Sequence, residues 1–118
     1  MAKTGVLLSE RGEVVCERCV VADRPLTRLR GLLGRKELPA GEGLLLRPAG
    51  AVHTSLMRFP IDVVFLDRDL IVVDVVDGLA PWRAAGRRGA HAVLELAAGE
   101  RARRAIVPRD RLELVPTS

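Results

Sequence analysis

One carboxylate of the chain lies within its most apolar segment. Asp62 belongs to the run Ile61–Leu66, whose other members are all hydrophobic. Burying an unpaired carboxylate costs several kcal/mol, so this group must be hydrogen-bonded, ion-paired or protonated. We favour a structural acid, paired with Arg58 or Arg35 or accepting backbone N–H groups. The alternative is an acid that faces a ligand in a pocket.

The length of the next turn decides what lies opposite Asp62. If a three-residue loop, 67–69, joins two antiparallel strands, Leu66 faces Leu70 and Asp62 faces Asp74. Two such carboxylates must share a proton, hold a cation or straddle an arginine, since like charges placed opposite each other repel. A four-residue loop breaks this pairing, and the sequence leaves both registers open.

Two further residues could take part in acid–base chemistry. His53 lies four residues before Met57 in an alternating segment, and we expect the two to share a face and the histidine to be a partly buried, satisfied residue. His91 alternates with Glu95, which we predict to lie on a solvated or ion-paired face. An enzyme would combine Asp62 with Glu95 or His53.

Trp82 is the single tryptophan, and it lies in a loop with Arg83, Arg87 and Arg88. An indole beside guanidinium groups can stack on a base or ring and bind an anion. The structural alternative is a plug that closes one end of a barrel, with arginines lying over it. We favour the plug because the chain has so few aromatic residues.

Cys16 and Cys19 form a lone C-x-x-C pair, whereas structural zinc usually takes four ligands. The surrounding residues are typical of a strand. Residues three apart in a strand point to opposite faces and lie roughly 10 Å apart, beyond the ~7 Å limit for a disulfide. The pattern therefore predicts two buried cysteines that do not act together, and no metal site.

The net charge is +4, and the cations are almost all arginine: of 19 basic residues only Lys3 and Lys36 are lysines. A bias toward GC-rich codons explains that composition without selection for phosphate binding. Acidic residues are interspersed along the chain, so that no stretch is a purely basic block. The charge pattern therefore predicts that nucleic acid is not the partner.

Apolar periodicity predicts mostly strands. Segments 4–8 and 13–22 read as a hairpin. Asp23 as N-cap, Pro25 and leucines at helical spacing predict one amphipathic helix that ends near Gly34. The remaining segments are predicted as strands over 43–47, 51–57, 61–66, 70–76, 92–96 and 106–114, with a short helix or turn over 98–105.

Short strands at this spacing with one helix indicate a mainly β (α+β) fold. We expect a small barrel-like or sandwich β domain capped by the short amphipathic helix, and a single domain over residues 1–118. The chain has no apolar run of the roughly 18 residues that span a bilayer and no signal-peptide pattern. We therefore expect a cytoplasmic protein that does not enter a membrane.

An ordered set of short motifs runs along nearly the whole chain. These motifs are Gly31-Leu-Leu-Gly-Arg35, Gly43-Leu-Leu-Leu46, His53-Thr-Ser-Leu-Met-Arg-Phe-Pro-Ile-Asp-Val-Val-Phe-Leu-Asp67, Pro81-Trp82-Arg83, Val93-Leu-Glu-Leu96, Ala98-Gly99 and Ile106. In this order they resemble the domain of unknown function 192 family over residues 14–115. The resemblance implies a compact, mostly β, barrel-like fold with a helix, and no known activity, substrate or cofactor.

The chain departs from the pattern of that family in three turns. Leu70 stands where the family usually has a turn glycine. Ala105 and Arg109 replace glycines that precede Ile106 and Asp110. These turns must form without the tolerance of glycine for positive φ, or their geometry differs locally.

The sequence favours a binding module without catalysis, whose partner is an unidentified small molecule or protein. Its face would include Arg58, Asp62, Trp82 and arginines of the helix. We expect no catalytic residue, metal or cofactor. Two alternatives remain, an acid–base enzyme acting on an anionic substrate and weak nucleic-acid binding through the loop 82–88. The candidate binding residues are Arg35, His53, Arg58, Asp62, Trp82, Arg83 and Glu95.

Overall fold

Nine strands and one short helix make up the part of the chain that the computed structural model describes, residues 3–23, 35–55 and 57–117. The predicted amphipathic helix lies almost entirely outside these residues. The elements are β1 Lys3–Ser9, β2 Val14–Ala22, β3 Glu42–Leu46, β4 Ala51–His53, β5 Ile61–Leu66, β6 Val72–Leu79, β7 Ala84–Gly86, β8 Ala92–Ala97, α1 Glu100–Arg103 and β9 Leu112–Thr117.

Seven of these strands form one mixed sheet in the order β6-β5-β8-β3-β2-β1-β9. Its neighbouring strands are antiparallel except β2 and β3, which run parallel. β4 and β7 pair separately as a two-stranded antiparallel sheet. The mainly β fold is therefore confirmed, and within the described residues no helix is long and apolar enough to cross a membrane.

The two edge strands of the large sheet meet at one point. An isolated bridge joins Ile71 to Arg111, and Arg109 donates its backbone N–H to the carbonyl of Val72 at 2.8 Å. β6 and β9 do not pair along the rest of their described length. The sheet is therefore open, and the closed form of the expected barrel is not observed.

Alternation along the central strands sorts their side chains into two apolar clusters, one on each side of the sheet. The first cluster is centred on residues such as Leu45, Val64 and Leu94. The second contains Leu44, Val63, Phe65 and Val93, and the inward side chains of the β4–β7 sheet, Val52 and Ala85, pack against it. The small sheet thus forms a second layer over one side of the large one.

Several strand and loop boundaries differ from the sequence prediction, among them β6, predicted over 70–76 and observed over Val72–Leu79. β4 ends at His53, because the chain turns at Thr54 instead of continuing to Met57. Residues 84–86 were predicted as loop but form β7. The last strand begins at Leu112, since residues 106–111 form the connection that carries the bridge to the start of β6.

The three turns that lack the family glycines keep the glycine-type backbone. Leu70, Ala105 and Arg109 have φ values of 61°, 56° and 78°. A side chain with a Cβ atom in this left-handed region costs roughly 1–2 kcal/mol per residue. These turns therefore keep their geometry at a cost in stability.

Restoring glycine at two exposed turns will stabilise the protein. We expect Ala105→Gly and Arg109→Gly each to raise the free energy of unfolding by about 0.5–1 kcal/mol, because relief of the positive φ outweighs the added entropy of the unfolded chain. Urea denaturation measures the change. Ala102→Gly inside α1 is the matched control and should lower stability, since glycine weakens a helix. Equal effects at the three positions would contradict the explanation.

Candidate functional site

Asp62 lies in β5 with 1% of its surface exposed, and three backbone N–H groups bind its carboxylate. Gly78 donates to Oδ1 at 2.9 Å, and both Gly99 and Arg101 donate to Oδ2 at 2.9 Å. A carboxylate that accepts several backbone N–H groups is well compensated for its burial. Asp62 is therefore a structural acid that accepts backbone N–H groups, as one of the two predicted forms proposed. Neither Arg58 nor Arg35 pairs with it.

These bonds join three elements that are distant in sequence. Gly78 lies in β6 at φ 60°, beside the irregular stretch of the β5–β6 pairing. Gly99 is the N-cap of α1 but provides no side-chain acceptor of its own, so Asp62 supplies the acceptor from another strand. Asp62 is therefore a brace between β5, β6 and α1, with its acceptor atoms already engaged.

The proposed Asp62–Asp74 pair does not form. Five residues, 67–71, separate β5 from β6, and the register places Leu66 opposite Val72 and Asp74 opposite Phe65. Asp74 instead accepts a hydrogen bond from Nε of Arg87 at 2.6 Å, which holds the pKa of Asp74 below its ordinary value. The longer turn, together with the register shift between Phe65 and Leu66, therefore breaks this pairing, which is one of the two outcomes that the sequence left open.

Glu95 is another buried acid, and unlike Asp62 it has no hydrogen-bond or ion-pair partner among the residues that the structure describes. It lies in β8 between Leu44 of β3 and Val63 of β5, both members of the second apolar cluster. Its side chain is 3% exposed, and none of the hydrogen bonds or ion pairs of the described residues involves it. Burial raises its pKa to about 7. The prediction of a solvated or ion-paired Glu95 was therefore wrong.

The groups of the enzyme hypothesis are not brought together. Glu95 and Val63 are cross-strand partners on the same side of the sheet. Asp62 precedes Val63, so its side chain points to the opposite side. His53 lies in the separate small sheet and is exposed, whereas Met57, its expected same-face neighbour, is buried.

Trp82 is not a plug, because 61% of its surface is exposed. Its φ is 63°, an unusual conformation for a bulky residue. Strain of this kind persists only where the surrounding structure imposes it, and it concentrates at functional positions. The loop thus holds a large aromatic side chain outward at a conformational cost.

Thr54 imposes the conformation of residues 80–83, the connection between β6 and β7 that we call the Trp82 loop. This fully buried residue donates its hydroxyl to the carbonyl of Ala80 at 2.6 Å, and the same oxygen accepts the N–H of Arg83 at 2.9 Å. Its backbone N–H binds the carbonyl of Arg83, and its carbonyl accepts the N–H of Trp82 at 3.0 Å. Sequence reasoning missed this role, because the bonds join positions almost thirty residues apart.

Arg87, which follows β7, ties the small sheet to the large one. Its guanidinium lies 5.2 Å from the centre of the Phe65 ring while it binds Asp74. Arg87 is thus used within the fold. By contrast, Arg58, Arg83 and Arg88 are exposed, and within the described residues they take part in none of the salt bridges.

The β4–β7 pairing joins two acid-free segments. Residues 47–60 and 78–91 contain five arginines and two histidines but no aspartate or glutamate. The prediction that acidic residues are interspersed along the whole chain is therefore wrong for these two segments. Their lack of acids is visible in the sequence and could have indicated a cationic surface. We use the term β4–β7 face for the exposed residues of this layer that could contact a partner, namely His53, Arg58, Trp82, Arg83 and Arg88.

Arg35 lies outside this face. Its guanidinium is 3.6 Å from the carboxylate of Glu42 at the start of β3. Of the seven sequence-predicted binding residues, four therefore belong to the β4–β7 face. Asp62, Glu95 and Arg35 do not.

The cysteine prediction also needs correction. An irregularity in the β1–β2 pairing sets Gly5 opposite Cys19 and Leu7 opposite Cys16, so three residues of β2 span two of β1. This bulge turns both cysteines into the first apolar cluster, where both are fully buried. The influence of each thiol on the other lowers the pKa of Cys16 and raises that of Cys19. Both are free thiols, and Cys16 donates to the carbonyl of Gly41 at 3.5 Å.

A shallow cavity of about 420 Å³ lies elsewhere, between the β5–β6 turn and the loop before β8. Its lining includes Asp67, Arg68 and His91. The Oδ1 atom of Asp67 already accepts the backbone N–H groups of Asp69 and Ile71, which closes the turn. No group of three or more metal-ligating side chains occurs among the residues that the structure describes.

The architecture defines a small β-rich protein with an open mixed sheet and a two-stranded second layer. The chain belongs to the domain of unknown function 192 family, described as "Uncharacterized ACR", whose model matches residues 6–114. No curated protein matches it.

Two crystal structures have the same fold. One is a candidate transcription regulator from Sinorhizobium meliloti 1021, with a TM-score of 0.83 and 23% identity over 97% of this chain and 94% of that one. The other is a protein of unknown function from Novosphingobium aromaticivorans DSM 12444, with a TM-score of 0.79 and 24% identity over 93% and 83% of the two chains. At these identities the likeness shows the fold alone.

Proposed function

We propose that this chain is a single-domain, non-catalytic binding module that contacts an anionic partner through the β4–β7 face. The observation that carries the proposal is the exposed Trp82, held at positive φ by the buried Thr54. An exposed indole adds little to the packing of the fold, whereas contact with a partner would compensate for the conformational strain of this residue.

The charges around Trp82 favour an anion. Arg83 follows it directly, Arg88 lies just beyond β7, and Arg58 follows the turn at Thr54. Cations without compensating acids create a positive potential that attracts anionic partners and speeds their association. The face therefore combines a stacking surface with unneutralised charge.

The placement of the acids supports binding in preference to catalysis. General acid–base chemistry needs a proton-transfer group within hydrogen-bond reach of the reacting atom. Asp62 is engaged by three backbone N–H groups, and Glu95 is shut into the second apolar cluster. Within the described residues the β4–β7 face contains no aspartate or glutamate.

Trp82 provides the assay for this proposal, because it is the single tryptophan of the chain. We expect its fluorescence to change on titration with at least one of three anionic polymers, heparin, polyglutamate and oligothymidylate, at about 50 mM salt. The double variant Arg83→Gln/Arg88→Gln should weaken that binding at least about tenfold.

Arg68→Gln is the matched control, since Arg68 is an exposed arginine of the β5–β6 turn. It removes one positive charge away from the face and should change the affinity less than twofold. Equal losses of affinity in the control and the double variant would show that the net charge of the protein alone causes the effect. No binding of any of the three polymers would overturn the proposal.

A further inference from the structure

We infer that the partner of the β4–β7 face is a single-stranded nucleic acid, with Trp82 stacking on an unpaired base and the exposed arginines contacting phosphates. This inference rests on the proposed function and names the class of its partner. It depends on the chemistry of the face, the backbone that supports it and the spacing of its charges.

The chemistry of the face matches the two parts of a nucleotide. Trp82 offers a flat π surface that is 61% exposed, and the adjacent Arg83 offers a guanidinium that makes none of the salt bridges of the described residues. Single-strand binding proteins combine aromatic side chains that stack on bases with cations that follow the backbone. An acidic peptide would use the cations but leave the indole without a flat partner.

The backbone of the small sheet keeps these groups accessible. Ala51, Ala84 and Gly86 stand on its exposed side, while Val52 and Ala85 point inward. Small residues leave the strand surface uncovered, so a flat ligand can approach the backbone closely. The buried Thr54 fixes the Trp82 loop before a ligand arrives, which lowers the entropy cost of binding.

The spacing of the arginines suits an extended strand. Arg83 and Arg88 are five residues apart across β7, up to roughly 16 Å in extended chain. The two guanidinium groups thus reach different phosphates. A duplex fits less well, because its bases are stacked on one another and offer no free face to Trp82.

The test uses anisotropy of a labelled oligothymidylate of about 15 nucleotides, near the upper size of a single-strand binding site. We expect binding at about 50 mM salt, with log K falling by about 0.7 per log unit of salt for each phosphate contacted. Three arginines would give a slope of about −2, and Arg83→Gln should reduce it by about 0.7. The blunt-ended duplex of the same sequence should bind at least about tenfold more weakly.

Substitution of Trp82 separates stacking from charge. Trp82→Ala should weaken oligothymidylate binding at least about tenfold, and Trp82→Phe less, since phenylalanine keeps part of the ring surface. Heparin has charge but no aromatic face, so its affinity should change less than twofold in both variants. Circular dichroism and urea denaturation confirm that the variants fold.

Each other outcome has a definite meaning. If polyglutamate binds through Trp82 and oligothymidylate does not, the partner is an acidic protein, and this inference falls while the proposed function stands. If heparin and oligothymidylate lose affinity equally in Trp82→Ala, stacking is excluded and the inference also falls. If no polymer binds, both fall.

Discussion

Replacing Asp62 with alanine will lower the free energy of unfolding by about 3–5 kcal/mol, since a hydrogen bond to a charged group contributes about 1.5–3 kcal/mol and a buried donor left unpaired costs about 1–3 kcal/mol. The substitution leaves the N–H groups of Gly78, Gly99 and Arg101 without their acceptor. It also removes the acceptor from the N-terminus of α1. Urea denaturation at pH 7 measures the loss.

Two companion variants make this result specific. Asp62→Asn keeps one oxygen acceptor but sets a donor against donors, so we expect an intermediate loss of about 2 kcal/mol. Asp69→Ala removes an exposed carboxylate from the adjacent turn and should stay within about 0.5 kcal/mol of the parent protein.

Hydrogen exchange identifies the groups that Asp62 holds. The amide protons of Gly78, Gly99 and Arg101 should exchange faster in Asp62→Asn and remain unchanged in Asp69→Ala. A loss below about 1 kcal/mol for Asp62→Ala, or unchanged exchange at all three amides, would show that the brace contributes little.

Glu95→Gln will stabilise the protein in neutral and alkaline solution, the opposite of the usual effect of a core substitution. Burial raises the pKa of Glu95 from about 4.5 to about 7. The folded state therefore binds its proton more tightly than the unfolded state, and stability falls as the pH rises between these two values. A shift of this size corresponds to about 3 kcal/mol, fully expressed only above pH 7.

The variant should therefore gain up to about 3 kcal/mol at pH 8 and nothing below about pH 4.5, less the cost of burying an unpaired amide. Other acids, such as Asp74 and Asp77, have lowered pKa values and weaken the fold on acidification. For this reason the quantity to measure is the difference between variant and parent across the pH range.

The matched control for Glu95 is Glu113→Gln, in which an exposed glutamate of β9 receives the same substitution. Its stability profile should run parallel to that of the parent from pH 4.5 to pH 8. If the Glu95→Gln profile also runs parallel, the carboxylate is not held in a desolvated state, and the physical account of this residue is wrong.

Two features of the candidate site were readable in part from local sequence. Trp82 and its neighbouring arginines were recognised as groups that can stack and bind an anion, because residue type alone defines that chemistry, but the favoured prediction of a plug was wrong, since residue type does not define exposure. Asp62 was identified as a compensated acid, because a carboxylate in an apolar strand must find partners. The partners of Asp62 are the backbone N–H groups of Gly78, Gly99 and Arg101. Because every residue except proline has such a group, the residue types do not reveal these partners.

Two of the differences from the sequence analysis have a common cause, which is a small change of register. One bulge in the β1–β2 pairing turns Cys16 and Cys19 to the same side of the sheet, and a five-residue turn moves Asp74 away from Asp62. Side chains alternate with a period of two, so an insertion of one residue reverses the face of all that follow. Such insertions depend on how strands pair.

The amino-acid pattern specifies the class of fold, since alternating apolar residues specify strands and the apolar run of β5 specifies an interior strand. The contacts between polar groups, by contrast, are fixed by the way in which distant strands pack together. Thr54 braces the Trp82 loop, and Glu95 lies beside Val63 without a polar partner in the described part of the chain, in each case through the approach of residues about thirty positions apart. Local patterns report the environment that a residue requires, whereas the pairing of distant strands decides which neighbours provide it.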